Sequence, residues 1–244
     1  MNIKSLAIAA GILTFAGNLS QATAADFADS GKAEASSKYY FAARLGAAFA
    51  EDSSFDLNAA AAVPTAIDNL YESSNIMGAI ALGKNFGGGF RGEIEVSYGS
   101  SEIDAHTIVA LPATLSGSSA FGDTSVLTGL VNGYYDFDLG GVSPYVSAGL
   151  GAARLDFDNH GVVIPAGGVA GLPAGPITAL DDSGTGFAWQ VGAGLNVEID
   201  AITTFEIGYR YQSVENVELT AVDGTRTDVD FETHNIIGGL RFDF

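Results

Sequence analysis

The chain has 244 residues, no cysteine and a formal net charge of −19, with 29 acidic against 10 basic side chains. That balance argues against a nucleic-acid binder, which needs Lys and Arg to neutralise phosphates, and the missing cysteine rules out a disulfide framework or a lipid-modified thiol. The chain is 47% hydrophobic with 32 glycines, yet past the N-terminus no apolar run reaches the ~20 residues of a membrane helix.

At the N-terminus, Lys4 supplies a positive residue, Leu6 to Phe15 an apolar stretch and Ala22-Thr23-Ala24 small residues at a cleavage site. This is the layout of a secretory signal peptide, and its apolar part is too short to span a bilayer. The sequence therefore predicts a signal peptide over 1–24, cut after Ala24, and a short periplasmic tail over 25–37. One barrel domain follows over 38–244, with no linker and no second apolar pattern.

Segments alternating apolar and polar residues recur from there on, the signature of strands with two different faces. The first is Lys38 to Ala50, with Tyr39, Phe41, Leu45 and Phe49 on one face and Arg44 opposite. The second, Ile76 to Phe86, ends at Gly87-Gly88-Gly89. The third, Phe90 to Ser100, is the clearest: Phe90, Ile94, Val96 and Tyr98 face one way, Arg91, Glu93, Glu95 and Ser97 the other. Ser125 to Phe137 follows, then a tight turn at 138–141 and a strand over Ser143 to Phe157, whose alternation is blurred by Ala and Gly. Gly186 to Ile199 has Phe187, Trp189, Val191, Leu195 and Val197 outward and Gln190, Asn196 and Glu198 inward. Thr203 to Glu215 has Phe205, Ile207, Tyr209 and Tyr211 outward and Glu206, Arg210 and Gln212 inward. The last segment is Asp230 to Phe244.

Connections after the second, fourth and sixth segments are short, and those after the first, third, fifth and seventh are longer. Such a rhythm suits an all-β fold, an eight-stranded antiparallel transmembrane up-and-down β-barrel with short periplasmic turns and long extracellular loops. Both ends of the barrel domain then lie in the periplasm. The apolar loop Gly161 to Leu180 is not counted as further spanning strands, because Pro165, Pro173 and Pro176 lack the N–H a closed ladder requires. Outward aromatics gather near the strand ends, as interfacial girdles do.

Four stretches carry a resemblance: Asn132 to Phe137 (NGYYDF), Ser143 to Gly151 (SPYVSAGLG), Gly186 to Leu195 (GFAWQVGAGL) and His234 to Phe244 (HNIIGGLRFDF). Over 38–244 the chain resembles the small eight-stranded OmpA-like outer-membrane barrels and their alphaproteobacterial surface-antigen and porin-like relatives. The resemblance implies insertion by the barrel-assembly machinery, with Phe244 as the assembly signal. Nothing follows the barrel in this sequence, so a peptidoglycan-binding domain is not carried over.

The inward charges are the main constellation: Arg44, Arg91, Arg210 and Arg241 with Glu93, Glu95, Glu198 and Glu206. An eight-stranded barrel leaves an interior just wide enough for side chains, so these charges read as a salt-bridged structural plug; the alternative is a narrow porin-like channel for ions or small solutes. The outer connections carry eighteen acids, including Asp156, Asp158, Asp181, Asp182, Glu215 and Glu218, against Arg154 and Arg226. No spacing among them matches a cation loop, so no metal and no cofactor is expected. The same connections hold apolar runs at Ile108 to Leu111, Val162 to Ile164 and Val169 to Ile177, which either form a contact surface or extend the strands upward.

Three histidines, His106, His160 and His234, lie in different segments, and His234 with Glu232 and Glu215 is the only candidate pairing. No catalytic set is expected. The sequence therefore predicts a monomeric, non-enzymatic outer-membrane protein with a structural or surface-contact role. It would be surrounded by lipid and lipopolysaccharide and meet any ligand through its acidic loops.

Overall fold

The computed structural model describes residues 39–51, 53–57, 65–71, 75–110, 113–117, 120–139, 141–164, 174–222, 224 and 226–244. The signal peptide over 1–24, the tail over 25–37, Lys38, the loop acids Asp52, Glu72 and Asp223, and Leu111, Pro165, Pro173 and 169–173 of the apolar runs lie outside the described residues. The elements are β1 (Tyr39–Ala50), β2 (Ser53–Leu57), β3 (Thr65–Tyr71), β4 (Asn75–Gly87), β5 (Phe90–Ala110), β6 (Ala113–Gly117), β7 (Ala120–Asp136), β8 (Val142–Ile164), β9 (Gly175–Glu198), β10 (Thr203–Thr220) and β11 (Arg226–Asp243).

Eight of these close a ring of antiparallel neighbours in the order β1-β4-β5-β7-β8-β9-β10-β11, with β11 back on β1. In the lower, lipid-facing part every strand has two partners, so no edge is left open there. The closure continues to the last residue: the Phe244 N–H donates to the Tyr39 carbonyl at 2.9 Å. At the lower β4–β5 turn, Gly87, Gly88 and Gly89 all have positive φ (86°, 63° and 84°), a conformation side chains resist.

Register fixes the barrel's shape. Directly paired residues lead once around the ring from Tyr39 through Lys84, Gly92, Gly133, Ala148, Val191, Tyr211 and His234 back to β1 at Phe49. The return point lies ten residues above the start, Tyr39 to Phe49, a shear of ten. With ~3.3 Å per residue and ~4.8 Å between strands, this stagger tilts the strands by about 41° and gives a backbone radius of about 8 Å.

Polarity inverts with height. In the lower part the barrel is apolar outside and charged inside: Ile94 is 66% exposed, while its neighbours Glu93 and Glu95 are 3% and 1% exposed. Phe90 to Tyr98 rises about 20 Å along the axis at this tilt, near the ~25 Å apolar band of membrane barrels. Higher up the rule reverses. Leu155, Phe157, Leu180, Val214, Val217 and Leu219 point inward into an apolar cluster, and Asp156, Asp158, Asp181, Glu218 and Asp228 are exposed. Strands that leave an apolar solvent for water must exchange faces in this way.

β10 needs one adjustment to keep its inner face apolar. A bulge between Val214 and Val217 places Asn216 at φ 57°, and the Asp230 carboxylate accepts the Asn216 N–H at 3.0 Å. The extra residue moves the inward set from Val214 to Val217 and Leu219, as a bulge does.

Strands extend much further upward than the alternation alone indicates. The expected loop over 158–185 is mostly hairpin, since β8 runs to Ile164 and β9 starts at Gly175, with Val163 paired to Pro176. Pro176 is tolerated because β10 pairs with β9 only from Phe187 downward, leaving its upper part with one neighbour. The first two outer connections also contain strands: β3 and β6 pair with the upper extension of β5, and β2 pairs with β3. The apolar runs thus build ladders above the membrane, where Ile108 faces Ile67 and Leu115 in register.

Candidate functional site: a closed lumen beneath an acidic rim

Seven of the eight inward charges named from sequence meet in one network at the lower half of the lumen. Arg44 is its hub. Nη1 and Nη2 donate to both oxygens of Glu93 at 2.8 and 2.9 Å, Nη1 also reaches Glu95 at 2.8 Å, and Nε donates to Glu206 at 2.9 Å. Arg210 Nη1 donates to both Glu95 oxygens at 2.8 Å. Arg91 and Arg241 both reach Glu206 Oε1, at 3.2 and 3.3 Å.

Glu198 does not join. It is exposed at the lower end of β9, beyond Val197, the last residue β9 pairs with β8. Its alternation is inward, but at the mouth of the barrel an inward position still faces water. Two other acids contact these arginines: Asp136, which accepts from Arg91 Nε at 2.8 Å and from Asn196 at 2.8 Å, and Asp243, which accepts from Arg241 Nε at 3.5 Å. Four arginines then face five carboxylates, Glu93, Glu95, Glu206, Asp136 and Asp243, and buried charges are tolerable when paired and hydrogen-bonded.

Sequence reading also missed the tyrosines that seal the network. Tyr134 donates to Glu93 at 2.6 Å and accepts from Arg210 at 3.0 Å, while Arg91 stacks over its ring at 3.8 Å. Tyr40 donates to Glu93 at 3.0 Å. The Tyr40 ring lies flat on Gly83, where a Cβ would overlap it. The signal was present: Tyr40 and Arg44 share parity on β1, as do Tyr134 and Asp136 on β7. Above this layer a gap of about 30 Å³ borders Ser97, Thr128, Gln212 and Thr233, and above that stands the apolar cluster.

His234 pairs differently from the sequence expectation. Its Nε2 meets Glu51 at 2.6 Å and its Nδ1 meets the Tyr209 hydroxyl at 2.5 Å. Glu232 hydrogen-bonds Tyr211, and Glu215 accepts from Trp189 Nε1 at 2.7 Å. The cluster sits on the outward face at the upper edge of the apolar band, where polar-tipped aromatics belong. It sets a carboxylate on one nitrogen of the imidazole and a tyrosine hydroxyl on the other. His160 is buried near the top, beside Phe157 and in contact with Thr124 Oγ1 at 3.2 Å; His106 falls in the upper part of β5. Among the described residues no three His, Asp or Glu side chains converge as a metal site requires.

A closed, lipid-faced ring of eight strands defines the class. The family model for the outer membrane protein beta-barrel domain matches residues 8–244. The chain belongs to this family. It is an outer-membrane β-barrel protein of the Gram-negative type, which makes the lower turns periplasmic and the upper hairpins extracellular. It is 32% identical over 94 residues to the outer membrane protein PagN of Salmonella typhimurium, a match spanning 38% of this chain and 36% of that relative. Only about a third of PagN's length is therefore matched. Among solved structures, Neisserial surface protein A aligns at 17% identity and TM-score 0.45, covering 84% of this chain and 97% of that one. Ail, the attachment invasion locus protein of Yersinia pestis, aligns at 13% identity and TM-score 0.37, covering 84% and 99%.

Some rim acids of this outer-membrane barrel act locally. Asp182 accepts the backbone N–H groups of Ser183 and Thr220, each at 2.8 Å, stitching β9 to the top of β10. Asp156, Asp158, Asp181, Glu218 and Asp228 remain on the outer surface.

Proposed function

We propose that this barrel is a structural and surface-contact element of the envelope rather than a pore or an enzyme. The observation that carries this reading is the lumen, occupied by a paired charge layer below and an apolar layer above. A conducting eight-stranded barrel would need side chains to withdraw from an interior only about 8 Å in backbone radius. What remains accessible is the extracellular rim, whose unengaged carboxylates favour a basic partner through complementary potential. Function on rigid scaffolds commonly sits on such peripheral segments.

Planar-bilayer recording on the purified barrel tests the closure: the reading requires little steady conductance, and a large, stable single-channel current makes the chain a porin-like channel instead. Binding of hairpin-deletion variants to host matrix proteins and whole cells tests the contact role. An unchanged lipid A mass spectrum, with and without the protein, is required of a non-enzymatic barrel.

A further inference from the structure

The lipid-facing surface is not uniform. Lys84 is the sole lysine among the described residues, and the basic side chains elsewhere are lumenal (Arg44, Arg91, Arg210, Arg241) or on the extracellular extensions (Arg154, Arg226). Among the described residues a single cation therefore stands on the outward apolar band, three residues above the periplasmic turn that begins at Gly87. Its ammonium lies 5.1 Å from the Tyr39 ring centroid and 5.9 Å from that of Phe86, within the periplasmic aromatic girdle.

Beside it is a concavity of about 590 Å³, bounded below by Tyr39, Phe86 and Phe244 and above by Leu82, Ile94 and Val131. Its size falls in the ~300–1,000 Å³ range of small-molecule sites. Gly92, directly paired with Lys84, forms the floor, and Phe86 leans toward it. The floor continues along the same row, because Gly92 pairs with Gly133 and Gly133 with Ala148. From Lys84 to Ala148 is three strand spacings, about 14 Å. The stagger makes this small-residue row climb obliquely from the periplasmic interface into the bilayer. It has a cationic end at headgroup depth and an apolar trough leading away.

We propose that this groove holds one glycerophospholipid of the periplasmic leaflet, its phosphate on Lys84 and one acyl chain along Gly92 and Gly133. Charge complementarity selects the phosphate, since among the described residues no other basic side chain stands in this band. Depth selects a membrane lipid over a soluble phosphate, because an interfacial ammonium at the mouth of an apolar trough rewards a ligand carrying both parts.

Native mass spectrometry of the full barrel titrated with phosphatidylglycerol tests this, with refolding checked by the heat-modifiable gel shift. The wild type should retain one lipid well before further adducts appear, and glycerol phosphate should give none. Lys84→Gln should weaken the first adduct about tenfold, the scale of one charge-assisted contact, while Lys84→Arg keeps it. Gly133→Leu should also weaken it. A Cβ at Gly133 meets nothing nearer than the Ala148 carbonyl at 4.0 Å, so the substitution adds bulk to the groove without a clash at its root. First-adduct retention equal to wild type in Gly133→Leu or Lys84→Gln, a series of equivalent adducts with no distinct first, or retention of glycerol phosphate would each overturn the proposal. If Lys84→Gln does not fold, Gly133→Leu alone decides.

Discussion

Replacing Arg44 by Met should be the most damaging single change in the lumen, and the structure indicates by how much. Arg44 touches three carboxylates. Glu95 would keep Arg210 at 2.8 Å, and Glu206 would keep Arg91 and Arg241 at 3.2 and 3.3 Å. Glu93 would lose its bidentate partner, keeping the hydroxyls of Tyr134 and Tyr40, the Asn132 amide at 3.3 Å and an Arg91 nitrogen 4.0 Å away. Stranding one partner of a buried pair costs ~3–5 kcal/mol, and Arg44→Met, which also weakens two further pairs, belongs at about 4–5 kcal/mol on that scale. Arg210→Met leaves Glu95 with Arg44, so its cost should be nearer 2–3 kcal/mol, roughly half the full loss. Arg44→Lys keeps the charge but not the fork and should fall below Arg44→Met. Urea unfolding of barrels refolded into phospholipid vesicles, read by the emission of the single tryptophan Trp189, gives the free energies. A loss under about 1 kcal/mol for Arg44→Met, far short of a broken buried pair, or a greater loss for Arg210→Met than for Arg44→Met, would refute the hub assignment.

Ile94→Arg should cost ~2–4 kcal/mol, the penalty for a cation on the mid-membrane lipid face, while Asp228→Arg, outward but above the polarity switch, should be near neutral; equal costs would misplace the membrane. Gly83→Val should drive the Tyr40 ring off its seat and break its bond to Glu93, lowering the urea midpoint, whereas Gly88→Ala, with open space around it, should show only the smaller penalty of its positive φ. Deleting Phe244 removes the N–H bonded to Tyr39 and the aromatic end, so outer-membrane yield and the heat-modifiable gel shift should both fall; unchanged values would end that assignment. The Asp200 carboxyl sits below its ordinary value because it accepts the backbone N–H of Ile202, and that of Thr203 as well. A lowered folded value contributes stability above the usual ~3.9 that is lost as pH falls through the folded value. The stability gap between wild type and Asp200→Ala should therefore be constant near neutral pH and close in strong acid, and a gap unchanged at low pH would contradict it.

Period-two alternation was enough to place eight strands, their lipid and lumen faces and the short turns, because in lipid each face of a spanning strand meets only one kind of surroundings. It reached seven of the eight lumen charges for the same reason. Alternation says which way a side chain points but not its height. Height follows from the shear of ten, which brings Arg44 to Glu93 and to Glu206, 49 and 162 positions away in sequence. That stagger also put Asp136 beside Arg91, and Glu198 stands at the open mouth. The extracellular extensions of β8 and β9 were hidden because their sequence obeys the opposite rule, apolar inward and acidic outward, and Val163 pairs with Pro176 only where a strand has a single neighbour. Which rule governs a residue depends on whether its strand stands in lipid or in water at that height, and only the closed barrel decides that.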